Sequence, residues 1–387
     1  MRMPAGARVV ACSALLTLLS ACATAPAPAP PPEAQVPAPA PASPPEPEPL
    51  PEQDHPGLTL AAVGDIMPGT DFPENILPDD DGVSFFSAVA PVLSAPDVTF
   101  GNFEGVLLDG GEPVKQCKDK RICYLFRTPT RYAQYLRDAG FDVLSLANNH
   151  ARDFGEDGRS SSMAALDAVG IHHSGREGTV ASFVANGRRV AMVAFAPNVG
   201  SNSLNDPQIG IPLVTELASH HDIVIVSFHG GAEGDGAEKL PFTREIFAGE
   251  DRGNVVEFAH SMIDAGADIV LGHGPHVVRP MELYKDRLVA YSLGNFATYY
   301  GISVEGIRGL APILLVTLDD EGRFVDGRIE PTIQLRPAGP SIDPARGVIT
   351  LLRELAAIAF PDGALQIAED GTLRRAATTP EPSRANQ

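Results

Sequence analysis

The sequence predicts an α/β fold, and three of its features lead there. Short apolar runs rich in β-branched residues recur along the chain, with helical patterns between several of them. Their hydrophobicity is continuous rather than alternating, which marks strands buried on both faces. Side chains carrying carboxylate, imidazole or carboxamide groups sit where those runs finish. In order, the runs are LTLAAVG (58–64), VTFGN (98–102), VLSLAN (143–148), VAMVAFA (190–196), DIVIVSFH (222–229), DIVLGH (268–273), LVAYSLGN (288–295) and ILLVTLD (313–319). The helical patterns are SFFSAVAPVLSA (84–95), TPTRYAQYLRDAGF (128–141), GRSSSMAALDAVG (158–170) and NVVEFAHSMIDAGA (254–267). About 280 residues carry this signal, enough for one large domain or two closely merged lobes. The domain is placed at 58–338, followed by a C-terminal extension, 339–387, with one short amphipathic helix at 345–360 and a polar tail.

The N-terminus speaks to location. Arg2 and Arg8 precede an apolar segment, 9–19, that is too short to span a bilayer and has the length of a signal-peptide core. It closes on Leu19, Ser20, Ala21 and Cys22, which resembles the lipobox of a bacterial lipoprotein precursor; the alternative is an ordinary cleaved signal with a chance Cys. The expectation is a signal peptide over 1–21 and a lipid on Cys22. The protein would then be tethered in the cell envelope, outside the cytoplasmic membrane. Residues 22–57, dominated by Pro, Ala and Glu, have almost nothing to bury and are expected to form a disordered, partly polyproline II linker.

Four cysteines are present. Cys12 would leave with the signal and Cys22 would carry lipid, which leaves Cys117 and Cys123 in the polar stretch VKQCKDKRICY. An extracytoplasmic setting favours a disulfide between them; a C-x5-C metal site is the alternative. The formal charge is −20, or about −22 once Arg2 and Arg8 are removed. That balance argues against nucleic acid and against an anionic membrane surface as main partners.

The strand ends carry the chemistry. Asp65 follows LAAVG, Asn102 and Glu104 follow VTF, Asn149 and His150 follow VLSLAN, His229 ends IVIVSF with Glu233 four residues on, His273 and His276 follow IVLG, and Asn295 follows YSLG. Each has an ordinary structural explanation by itself. Ligands in α/β folds sit at the carboxyl ends of strands, so polar groups placed there repeatedly are expected to converge. In GHGPH (272–276) two imidazoles are separated only by Gly and Pro, a spacing suited to holding a metal. This donor set favours a borderline divalent ion, Zn, Mn or Fe, without choosing its identity or number.

AVGDIMPG (62–69), FGNFEGVL (100–107), LANNHARDFGEDG (146–158), FHGGAE (228–233) and the long stretch from 264 to 296 together resemble the CapA family of capsule and poly-γ-glutamate synthesis. That family in turn resembles the calcineurin-like metallophosphoesterases. The resemblance implies a four-layer αββα arrangement, a metallophosphatase-like central β-sandwich flanked by helices. Carried over residue by residue, it implies Asp65, Glu104, Asn149, His229, His273 and His276 as metal ligands, with His150 as an acid–base imidazole. Three departures stand out. The His of the family's GD-x-H is Met67 here, the second acidic residue is Glu104 rather than Asp, and the last histidines have two residues between them instead of one.

The functional expectation is an envelope protein of capsule or poly-γ-glutamate-like polymer synthesis with a metal-dependent hydrolase- or transferase-like site. His150 and Glu233 would move protons, and Asn102 and Asn295 would contact substrate. The alternative is a noncatalytic polymer-binding or export component with a degenerate site. Expected partners are an anionic cell-surface polymer or its precursor, the lipid membrane through the anchor, and membrane-bound synthases. Lys115, Lys118, Lys120, Arg121, Arg127 and Arg131 form the densest basic stretch and are the candidate contact for such a polymer.

Overall fold

In a computed structural model of the chain, the described residues are 57–116 and 123–376. The expected signal segment, Cys22, the expected linker up to residue 56, and Cys117 lie outside them. Every residue of the Leu58–Met67 strand except Thr59 is buried, and the Ile223–His229 and Ile269–His273 strands are buried throughout. Strands this apolar must be covered on both sides, and the chain does so with two sheets packed face to face and helices outside each.

The first sheet runs in the order 365–367, 372–375, 324–334, 310–318, 58–67, 98–103, 143–145, 172–174. The second runs 281–284, 287–290, 269–273, 223–229, 188–196, 181–185. In each the site-bearing strands pair in parallel, so their carboxyl ends point the same way. Leu60, Ala62, Val98 and Phe100 of the first sheet meet Val190, Met192, Ile225 and Leu271 of the second in one core. The alternate residues Ala61 and Val63 face out beneath the Tyr132–Ala139 and Gly155–Ala168 helices, packing with Leu136 and Leu166. Val193 and Val226 lie under the Pro207–His220 and Val255–Asp264 helices, against Val214 and Met262. The layers are therefore αββα, as the sequence led one to expect.

Two elements depart from expectation. The helix expected at 84–95 is a single turn, Ala90–Leu93, because the Asp80 carboxylate accepts from the backbone N–H groups of Gly82 and Ser84 and holds the preceding residues in turns. The C-terminal segment is no appendage. Residues 340–342, 365–367 and 372–375 all join the first sheet, and the Gly347–Ala359 helix buries Val348, Ile349, Leu352 and Leu355 in the inter-sheet core. Leu352→Ala is expected to cost about 2–5 kcal/mol in urea unfolding. A loss well under one kcal/mol would contradict that packing.

Candidate metal centre

Strand register builds the centre. Asp65 pairs across the sheet with Asn102 on one side and Asn295 on the other, and the register slips at Asp65 on both sides. Such a bulge re-aims a side chain. Gly64 permits the close approach this needs, because a Cβ there would lie 2.0 Å from the Gly294 carbonyl oxygen. In the other sheet His229 and His273 are register partners. After His273 the chain turns through Gly274, at φ +116°, where a Cβ would meet the Gly230 carbonyl oxygen at 2.8 Å. His276 follows in the left-handed region at φ 58°, an unfavourable conformation for a non-glycine residue.

These turns bring three groups together. Among the described residues, one ligand atom from each of Asp65, Glu104 and His276 lies within 4.8 Å of the others. His276 Nδ1 is 3.1 Å from Asp65 Oδ2 and 3.0 Å from Asn295 Oδ1, both acceptors, so it carries a proton shared between them. Its Nε2 faces Glu104 Oε1 at 3.6 Å and Glu233 Oε2 at 3.9 Å. His273 Nδ1 lies 3.4 Å from Asp65 Oδ1 but is not aligned as a hydrogen bond, and both ring nitrogens of this fully buried residue lack a partner.

Burial and charge set the protonation. Burial pushes the Glu104 carboxyl up to about 8; His276 opposes this, while the charges of Asp65 and Glu233 add to it. For His276, burial acts downward, but Glu104, Asp65 and Glu233 outweigh it and raise the imidazole to about 10. Burial would also raise Asp65, yet His273 and His276 hold it well below the usual carboxylate range. His229 is driven well down, by burial first and by Arg252 second.

These residues fit a divalent ion. Among the described residues, both Glu104 oxygens, both His273 nitrogens, Asn149 Oδ1 and His229 Nδ1 are buried without a hydrogen-bond partner, a costly state for polar groups that a cation would relieve. The donors are carboxylate oxygen and imidazole nitrogen, the set that borderline ions take.

The other expected site residues separate into distinct roles. Asn102 and Asn295, expected to touch substrate, are instead fully buried struts. Asn102 donates to Asp65 Oδ1 at 2.9 Å, and Asn295 Nδ2 donates to the carbonyls of His276, Ser303 and Arg308 at 3.1, 3.1 and 3.2 Å. His229 is expected as a ligand, but its Nε2 accepts from Arg252 at 3.3 Å. His150 Nδ1 and Asp153 Oδ2 are 2.7 Å apart, and Lys115 Nζ is 3.0 Å from Asp153 Oδ1. The short contact puts the His150 proton on Nδ1, leaving Nε2, 4.0 Å from Glu104 Oε1, as the lone-pair nitrogen. Burial lowers the His150 imidazole in spite of Asp153, which keeps it neutral.

A cleft of about 440 Å³ opens beside the centre, lined by Lys115, Tyr124, Phe126, Asn149, His150, Glu233, Arg252, His276 and Arg308 among others. Cys123 also lines it and is disulfide-bonded; Cys117 lies outside the described residues. Three members of the basic stretch are among the described residues. Lys115 reaches the cleft, whereas Arg127 is engaged by Asp71 at 2.6 Å and Arg131 by Asp81 at 2.5 Å. Lys118, Lys120 and Arg121 lie outside the described residues. Sequence reasoning missed Asp153, Arg252 and Asn148, whose Nδ2 donates to the Phe103 carbonyl at 2.8 Å and whose Oδ1 accepts from the His150 N–H at 3.1 Å. The i,i+3 spacing of His150 and Asp153 was a usable signal for one of them; nothing local marks Arg252, which arrives from a remote hairpin, Glu245–Phe247 with Glu250–Gly253.

Two face-packed sheets, outer helices and a carboxylate–imidazole cluster at the strand ends define an α/β protein of αββα architecture with a candidate metal centre. The chain belongs to the family described as bacterial capsule synthesis protein PGA_cap, whose model matches residues 59–300. It is 34% identical over 256 residues to PGA biosynthesis protein CapA of Bacillus subtilis (strain 168), covering 62% of this chain and 63% of that protein. It is 33% identical over 263 residues to capsule biosynthesis protein CapA of Bacillus anthracis, covering 62% and 59% respectively. The chain therefore spans about three fifths of the length of these curated relatives. A 5′-nucleotidase precursor from Thermus thermophilus aligns structurally over 79% of this chain and 59% of its own, at 15% identity and a TM-score of 0.39.

Proposed function

We propose that the protein takes part in making or processing an anionic envelope polymer of the capsule or poly-γ-glutamate type, anchored through Cys22, with a metal-dependent hydrolase- or transferase-like site. Family membership supports the process. One observation carries the chemistry: Asp65, Glu104 and His276 converge beside buried groups with no partner, at the wall of an open cleft.

Asp65, Glu104 and His276 would hold the ion, with Asn149 and His273 placed to join them. When bound, the ion would polarise a carbonyl or phosphoryl oxygen and acidify a water. The chain's own groups then have separable tasks. Asp153 fixes the His150 tautomer, so Nε2 faces the cleft as a neutral base that can take a proton and return it to a leaving group. Asn102 and Asn295 keep Asp65 and His276 from rotating. Lys115 and Arg308 put cationic groups on the cleft wall that an acidic chain would meet in competition with their partners in this chain, Asp153 at 3.0 Å and Asp235 at 3.5 Å.

Turnover of phosphoester or γ-glutamyl-amide substrates by the metal-loaded full chain, lost in His150→Ala, is the expected result. Retained binding without turnover on either class would favour a polymer-binding component instead, a reading that Met67 in place of a ligand already recommends. Lys115→Glu is expected to weaken binding of γ-linked glutamate oligomers by roughly tenfold at low salt, the gap closing as salt rises. Unchanged affinity at low salt would remove Lys115 from the binding wall.

A further inference from the structure

We infer that Arg252 supplies the second positive charge of this centre, so that the chain holds one divalent ion rather than two and His229 is not among its ligands. The inference rests on the metal-centre reading above and sharpens it.

The guanidinium of Arg252 is almost wholly buried, at 1% exposure. Its Nε donates to the Gly231 carbonyl at 3.0 Å, and its Nη2 reaches His229 Nε2 at 3.3 Å and Glu233 Oε1 at 3.2 Å. Gly274 leaves it room, since a Cβ there would come within 3.2 Å of Nη2. A guanidinium only donates, so the contact makes His229 Nε2 an acceptor and puts that ring's proton on Nδ1, which finds no acceptor among the described residues. Neither nitrogen then has a lone pair left for a metal. Arg also keeps its charge throughout the accessible pH range, so a second dication at His229 would sit against a fixed positive group with little water between them.

A separate observation agrees. Met67, two residues after Asp65, is fully buried in an apolar cluster with Phe126 and Ile302, so the thioether lines a hydrophobic contact and offers no hard donor.

The test is a count. Metal-free full-length protein is dialysed against excess Mn²⁺, bound metal is measured by elemental mass spectrometry, and the bound ion is examined by electron paramagnetic resonance. One Mn²⁺ per chain with the hyperfine pattern of an isolated ion is expected. His229→Gln should keep that count, with Kd within about threefold of the parent, and Arg252→Lys, which retains the charge, should also bind one. Two ions per chain, an exchange-coupled signal, or a tenfold or greater loss of affinity in folded His229→Gln would overturn the inference while leaving the metal centre standing. No bound metal in the parent would reject the centre itself and the inference with it. The parent's count and spectrum decide the matter even where a variant does not fold.

Discussion

His276→Ala is expected to lose metal affinity by more than about 100-fold, beyond the loss typical of groups that merely support a ligand. Among the described residues, His276 faces Asp65, Glu104, Glu233 and Asn295 together, at 3.1, 3.6, 3.9 and 3.0 Å. Removing the ring takes away a donor and also releases the other two ligands from their common partner. Glu104, pushed up to about 8 by burial with His276 opposing, would lose that opposition and hold its proton more firmly. His276→Gly separates the ligand from its backbone. Glycine accepts φ 58° without strain, so this variant should bind metal as poorly as His276→Ala while unfolding at an equal or higher temperature. Calorimetric titration of the two variants beside the parent checks both halves. Affinity retained in either variant would remove His276 from the ligand set.

Arg279→Ala is expected to destabilise the fold by about 3–5 kcal/mol. Arg279 is 1% exposed and meets Glu245 in a two-pronged pair, Nη1 to Oε1 at 2.8 Å and Nη2 to Oε2 at 2.7 Å. Its Nε also donates to the Ala237 carbonyl at 2.7 Å, and Glu245 accepts from the Ala232 N–H at 2.9 Å. This pair pins a long stretch, 230–244, that has no regular secondary structure and carries Glu233. Truncating the arginine leaves Glu245 buried and uncompensated, so the Arg279→Ala, Glu245→Ala double variant should cost less than the sum of the singles. Urea unfolding of the three variants measures this. Additive losses would mean the two side chains stabilise the protein separately.

What could be read from the residues follows from where the determining interactions lie. The runs 222–229 and 268–273 identified themselves because parallel strands covered on both faces must be apolar throughout, and their terminal histidines stand out against such a background. The Phe324–Gln334 strand went unread because Pro331, Gly327 and three charged residues, Asp326, Arg328 and Glu330, interrupt its pattern; its place is dictated by pairing along Leu310–Leu318. The Pro207–His220 helix, with Pro212 inside it, was hidden for a similar reason, although Asp206 caps it by accepting from the Gln208 N–H. Around the centre, the residue types at the strand ends indicated which groups would meet. They did not indicate which would face a ligand. Asn102 and Asn295 have the chemistry of substrate contacts, and only the register of three strands reveals that both are occupied with Asp65 and His276.

The side chain of Asn295 ties parts that a sequence keeps apart. Its amide nitrogen holds the backbone at Ser303 and Arg308, on the lip of the cleft, while its oxygen meets the His276 ring. Packed interiors of this kind yield little under load. The lip and the imidazole thus form a single lever, with the carboxamide as its fulcrum: a load applied at Arg308 would tug on His276, and a firmly held His276 would stiffen the lip.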